Sequence, residues 1–212
     1  MIRRISYRIF RTGLLAAIVV SGAACTSTAT KPASSHIAVQ ESVGFTITEE
    51  GRISSDTRLD YDMALGYLEQ GRLDDGIALL ETVVESASDL SAPRIDLGIA
   101  YHRAGDLEAA EQHLQLALQS SPEHPIAHNE LGIIYRKTGR FAEARRSYEA
   151  ALETYTGYHF ARRNLAVLCD LYLADLECAL RNYEAYMLTV PTDEEASMWI
   201  ADIRYRMGVA ED

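Results

Sequence analysis

The chain has 212 residues, of which 48% are hydrophobic and 24% charged, a composition that suits one folded domain with short additional segments. Its formal net charge is −11. This acidic balance argues against binding to nucleic acid or to an anionic membrane surface.

The first 24 residues have the three regions of a secretory signal. Four arginines precede residue 12, the run from Gly13 to Val20 is almost wholly apolar, and residues 21–24 are small. The apolar run is shorter than the roughly 20 residues that span a bilayer. Residues 1–24 are therefore predicted to be a signal peptide for general secretion.

The segment Gly22-Ala23-Ala24-Cys25 follows this apolar run directly. It resembles the lipobox at which bacterial lipoproteins are cleaved and acylated, although Gly22 stands where the family usually has a branched apolar residue. The resemblance implies that Cys25 carries fatty acyl chains such as palmitate, and two or more chains make a durable anchor. Thr26 then favours the outer membrane. Ordinary cleavage after Ala24, which leaves a free thiol at Cys25, is the alternative.

Residues 25–56 are predicted to be a lipidated N-terminus followed by a flexible tether, because Thr, Ser and Ala are frequent and no helical period is present. One stretch, Val43 to Thr48, alternates apolar and polar residues as a short strand does. It is either an ordered edge packed on the first repeat or a strand offered to a partner.

Three segments recur at a step of 34 residues: Ala64-Leu65-Gly66-Tyr67, Gly98-Ile99-Ala100-Tyr101 and Gly132-Ile133-Ile134-Tyr135. This period resembles the tetratricopeptide repeat, in which each unit is a helical hairpin. The resemblance implies an all-α solenoid of about four hairpins over residues 57–191, divided as 57–90, 91–124, 125–158 and 159–191. Gly71, Gly105 and Gly139 are predicted to end the first helices.

The fourth unit is displaced by one residue. It begins at Leu165 and ends at Pro191, and its offset from the third unit places one inserted residue between Cys169 and Ala179. Residues 192–208 have apolar side chains with charges between them, which predicts the capping helix that a solenoid requires.

Cys169 and Cys178 flank the predicted turn of the fourth hairpin. With Cys25 lipidated they remain as a pair in an oxidising compartment, so a disulfide is possible. Both cysteines could instead be free and buried. The sequence leaves these two alternatives open.

No catalytic constellation is evident in the sequence, since it has neither a glycine-rich phosphate loop nor a nucleophile elbow. His124 and His128 are four residues apart, but Pro125 lies between them at a unit boundary, so they are not expected to bind a metal. The sequence predicts no enzyme, no cofactor and no metal.

In tetratricopeptide solenoids the first helices line the concave face. The resemblance implies a partner-binding set that is apolar with a basic edge: Ile95, Ile99, His102, Arg103, Ile126, Asn129, Ile133, Arg136, Lys137, Phe160 and Arg163. A peptide with apolar anchors and some negative charge would suit it. Alternatively, Ile95, Ile99 and Ile133 pack between neighbouring first helices and the cations are only solvated. Ile99 and Ile133 replace the asparagines of chaperone-binding repeats, which disfavours a terminal carboxylate as ligand.

Lipid, tether and repeats together resemble the lipidated pilus-assembly and pilotin-type proteins of the cell envelope. The resemblance implies a periplasmic scaffold, anchored in the outer membrane, that binds protein partners in a pilus or secretion complex or in a proton-driven transport complex. An adaptor of peptidoglycan enzymes is the alternative, and an enzyme in its own right is less favoured. The partner and the oligomeric state stay open.

Overall fold

The computed structural model describes residues 37–42, 44–49 and 53–208. The predicted signal peptide and Cys25 lie outside these residues. Within them, two strands precede nine helices: β1 Ile37–Ser42, β2 Gly44–Glu49, α1 Ser55–Glu69, α2 Leu73–Ser86, α3 Ser91–Ala104, α4 Leu107–Ser120, α5 Pro125–Lys137, α6 Phe141–Thr154, α7 His159–Leu171, α8 Leu176–Met187 and α9 Glu194–Met207.

The helices stack as consecutive hairpins. Helix α1 packs on α2, α3 on α4, α5 on α6 and α7 on α8, and each second helix also contacts the first helix of the next hairpin. Helix α9 packs on α8, where a further first helix would lie. The predicted solenoid of four hairpins with a terminal helix is therefore confirmed.

Glycines in the left-handed backbone region end three of the first helices. Gly71, Gly105 and Gly139 have φ values of 78°, 89° and 77°, and a second helix begins two residues after each of them. Glycine adopts this conformation without the steric cost that a β-carbon imposes. In the second hairpin the intervening residue, Asp106, accepts a 3.0 Å hydrogen bond from the Ala109 amide and caps α4.

The fourth hairpin makes the same turn with Ala174, which has a φ of 52°. In the second and third hairpins the residue after the glycine bonds to the carbonyl five residues back, as Arg140 N does to Tyr135 O at 2.8 Å. In the fourth, Asp175 N bonds to Cys169 O, six residues back, at 2.9 Å. The inserted residue therefore lies between Cys169 and Ala174, and the turn is preserved around it.

Small residues set the distance between the two helices of a hairpin. A β-carbon on Gly98 would lie 2.8 Å from Leu114 Cγ, and one on Gly132 would lie 2.4 Å from Tyr148 Cε1. Leu114 and Tyr148 have no exposed surface. Each large side chain of a second helix thus packs directly on the backbone of its first helix.

The β-hairpin lies inside the segment predicted to be a tether. Strand β1 pairs antiparallel with β2, with Ile37 opposite Glu49. The Glu49 carboxylate is 4% exposed and accepts hydrogen bonds from the Ser91 and Ala92 amides at 2.8 and 3.1 Å. It therefore caps α3, whose own N-cap residue, Leu90, makes no side-chain hydrogen bond to the helix. Residues 37–42 and 44–49 of the predicted tether are therefore an ordered hairpin, and the second strand contacts the second repeat.

We predict that Gly132→Ala lowers the free energy of unfolding by about 1–3 kcal/mol, because the new methyl group would overlap the Tyr148 ring. Gly66→Ala is the matched control. Gly66 also lies within a helix, but nothing stands within 4 Å of its β-carbon position, so this variant should gain up to about 1 kcal/mol. Chemical denaturation of both variants checks the prediction. The same change in both would contradict close packing at Gly132.

Candidate partner-binding surface

The first helices form one layer of the solenoid, because α3 contacts α5 and α5 contacts α7. Residues 35 apart meet in this layer. The Tyr61 hydroxyl donates to the Asp96 carboxylate, and Asn164 Nδ2 donates to Asn129 Oδ1 at 2.9 Å. We call the solvent-facing side of α1, α3, α5 and α7 the first-helix face.

Three of the predicted partner-binding residues are buried. Ile95, Ile126 and Asn129 are 0%, 6% and 2% exposed. Ile95 and Asn129 each lie a multiple of 34 residues after Tyr61, which is buried between neighbouring first helices, and Ile126 packs in the same core as Ile95. Burial leaves these three side chains almost no surface with which to contact a partner, and Ile95 lies in the core, as the alternative expects.

The apolar part of the first-helix face is narrower than predicted. Ile99 and Ile133 are half-buried and pack against the core. Phe160 is 39% exposed, and its ring lies 4.0 Å from that of His159. Phe160 is thus the most accessible apolar anchor among the predicted residues.

The exposed cations of the face are Arg103 and Lys137. Within residues 53–208 neither makes an ion pair, and Arg103 only donates to the Leu68 carbonyl at 3.4 Å. His102 lies beside them. Burial lowers the pKa of His102, and the nearby charges of Lys137 and Arg136 lower this pKa further. This part of the face is therefore positive, although the chain as a whole is acidic.

Arg136 and Arg163 have structural contacts instead. The Arg136 guanidinium lies 5.7 Å from the centre of the Tyr172 ring and that of Arg163 lies 5.1 Å from Trp199. Arg163 also pairs with Glu195 at 3.3 Å. These two arginines therefore connect α5 to the fourth turn and α7 to α9, and their charges are only partly available to a partner.

Two exposed apolar residues that the sequence analysis does not predict continue the line of cations into the fourth hairpin. Leu171 and Tyr172 are 69% and 43% exposed, and the Tyr172 ring contacts Phe141 with centres 5.0 Å apart. Leu171 follows Lys137 by 34 residues, so the repeat spacing itself could have shown that the cation is lost in the fourth unit. Tyr183 and Tyr186 of the same hairpin are buried.

The structure joins Cys169 and Cys178 in a disulfide across the fourth turn. Asp175 brings a third potential metal-ligating atom within 4.8 Å of the two sulfurs. Since the sulfurs are bonded to each other, they are not free to bind a metal. Asp175 instead pairs with Arg145 of α6 at 2.5 Å, which connects the third and fourth hairpins.

His124 and His128 do not share a site. His124 is fully buried, and neither of its ring nitrogens has a hydrogen-bond partner within residues 53–208. His128 Nε2 lies 2.8 Å from the Pro122 carbonyl oxygen. His124 is thus a packed residue at the boundary between the second and third hairpins.

The comparisons with known proteins agree with this architecture. Residues 61–125 and 95–159 match the family model described as Tetratricopeptide repeat. Among solved structures, MamA from Desulfovibrio magneticus RS-1, solved from residue 41 to its end, is 17% identical, with a TM-score of 0.66 over 74% of this chain and 89% of that solved chain. PilF of Pseudomonas aeruginosa is 18% identical, with a TM-score of 0.65 over 71% of this chain and 68% of PilF. These identities show the fold alone. The comparison with curated proteins finds no relative of this chain.

No helix in the part of the chain that the structure describes is both long enough and apolar enough to cross a bilayer.

We predict that His124 makes the protein less stable in acid. Burial lowers the pKa of His124 to about 3 in the folded protein, whereas an unfolded histidine titrates near 6.5. As the pH falls, the unfolded state therefore takes up a proton before the folded state does. The free energy of unfolding keeps its full value above pH 6.5 and decreases by up to about 4–5 kcal/mol as the pH approaches 3. His124→Leu should flatten this slope in denaturant titrations between pH 7 and 4.

Asp96 acts in the opposite direction, because burial raises its pKa to about 6 and the folded state then takes up the proton first. Comparing the parent with His124→Leu cancels this contribution, since both contain Asp96. Equal slopes in the two proteins would show that His124 is not the group responsible.

Proposed function

Since this chain is a tetratricopeptide-repeat protein, we propose that it is an envelope scaffold whose first-helix face binds a segment of a protein partner. Tetratricopeptide-repeat proteins serve as scaffolds for protein–protein interaction, so a protein partner follows from the fold. We also propose which face binds the partner, where in the cell the protein lies and which kind of complex it serves.

The observation that carries the proposal is the positive part of the first-helix face. Arg103 and Lys137 are exposed without an ion pair in the described part of the chain, on an acidic protein. Phe160 lies on the next first helix with 39% of its surface exposed. A partner segment with apolar side chains and carboxylates would match both features.

We place the protein at the periplasmic side of the outer membrane because the lipobox-like segment ending at Cys25 precedes the repeats. A lipid anchor and a solenoid together suit a factor that assembles an envelope complex of the pilus or secretion type, or of the proton-driven transport type. An adaptor of peptidoglycan enzymes would use the same architecture, and the partner recovered decides between them. In each case we propose a binding role and no catalysis by the chain itself.

The partner is tested by affinity capture from detergent-solubilised envelopes with the double variant Arg103→Glu, Lys137→Glu. We expect capture to fall about tenfold, because two attractive charges become repulsive. Arg146→Glu is the matched control, since Arg146 is exposed on the second helix α6, and it should capture as the parent does. Equal capture by all three proteins would exclude the first-helix face.

The anchor is tested by Cys25→Ser. We expect the variant to be lost from the membrane fraction, because no acylated cysteine would then hold the chain at the bilayer. The double variant Cys169→Ser, Cys178→Ser, which keeps Cys25 and leaves no other thiol, is the control and should stay in the membrane fraction. Membrane association of Cys25→Ser as firm as that of the parent would contradict lipid anchoring.

A further inference from the structure

Helix α9 resembles a first helix in its length, in the glycine that ends it and in its buried positions. It has 14 residues and ends at Gly208, which has a φ of 70°, as the 14-residue helix α3 ends at Gly105 with a φ of 89°. Ala196 and Ile203 of α9 are completely buried, as Ala161 and Leu168 are on α7, 35 residues earlier. The side of α9 that faces the preceding hairpin therefore repeats the packing of α7.

The opposite side of α9 is exposed within residues 53–208. In the four hairpins one small residue of each first helix is buried against its second helix: Ala64, Gly98, Gly132 and Ala166. The same position on α9 is Ala201, 35 residues after Ala166, and Ala201 is exposed. No helix within residues 53–208 covers it.

A groove of about 360 Å³ lies at this position, between α8 and α9. It is lined by Glu184, Met187, Ser197, Ile200, Ala201 and Arg204. Met187, Ile200 and Ala201 supply its apolar surface, and the Arg204–Glu184 ion pair, at 2.8 Å, forms its polar edge. A second helix on α9 would occupy this groove.

We propose that a protein partner donates one amphipathic helix to this groove and so completes a fifth hairpin. This binding surface is separate from the first-helix face. The second helices of the four hairpins show which side chains pack against a first helix. Each second helix has a small residue, a large one four positions later and an apolar one three positions after that. These sets are Gly76, Leu80 and Val83; Ala110, Leu114 and Ala117; Ala144, Tyr148 and Ala151; and Ala179, Tyr183 and Tyr186.

Charge adds a further requirement on the donated helix. Arg204 stands where α3 has Tyr101, whose ring stacks on His113 of α4 with centres 5.4 Å apart. A carboxylate at the His113 position of the donated helix would therefore lie beside the Arg204 guanidinium and share it with Glu184, which pairs with Arg204 at 2.8 Å. The expected ligand is a helix with the small, large and apolar pattern and an acidic residue directly before the large one.

The probe is a labelled synthetic peptide with the sequence of residues 107–120 and the substitution His113→Glu. Its binding to the intact protein in detergent is followed by fluorescence anisotropy, with a scrambled peptide as the sequence control. We expect saturable binding of the patterned peptide and at least tenfold weaker binding to the variant Ala201→Glu, which puts a charge on the apolar surface of the groove. Ala142→Glu, at an exposed alanine of α6, is the matched control and should bind as the parent does.

Two results would overturn the proposal. One is equal binding of the patterned and scrambled peptides, or equal binding by the parent and Ala201→Glu, since either shows that the groove does not select a helix. The other is a parent protein that sediments as a dimer and an Ala201→Glu variant that sediments as a monomer, because a second copy would then occupy the groove.

Discussion

The separation of the two helices in each hairpin depends on a small residue that faces a large one. Gly98 accepts Leu114 and Gly132 accepts Tyr148 at distances that leave no room for a β-carbon. Close approach buries the surface between the two helices, and the next hairpin can then stack on this one. This contact therefore determines which side chains of the hairpin face solvent, including those that would meet a partner.

The stacking places the first helices side by side and buries part of their surface. Tyr61, Ile95 and Asn129 are buried at equivalent positions because neighbouring first helices touch there. On the first-helix face, the exposed side chains include Arg103 and Lys137, which make no ion pair within residues 53–208, and the partly exposed ring of Phe160.

The 34-residue period was sufficient to predict the hairpins, their turn glycines and the terminal helix, since each depends on local sequence repeated in register. The inserted residue was also visible, because it breaks the period. The burial of Ile95 and Asn129 could not be predicted as firmly, because it depends on contacts between units that a single unit does not encode. The cap that Glu49 provides to α3 joins residues 42 apart in sequence, and no pattern in the chain indicates which helix end the carboxylate reaches.

We propose that a protein partner binds at the first-helix face. Site-specific photo-crosslinking in intact envelopes tests it most directly, with a benzophenone amino acid at Lys137 on this face and, in a second protein, at Arg146 on the second-helix side. We expect a discrete adduct with one envelope protein from position 137 and none from position 146. An adduct from position 146 alone would contradict it.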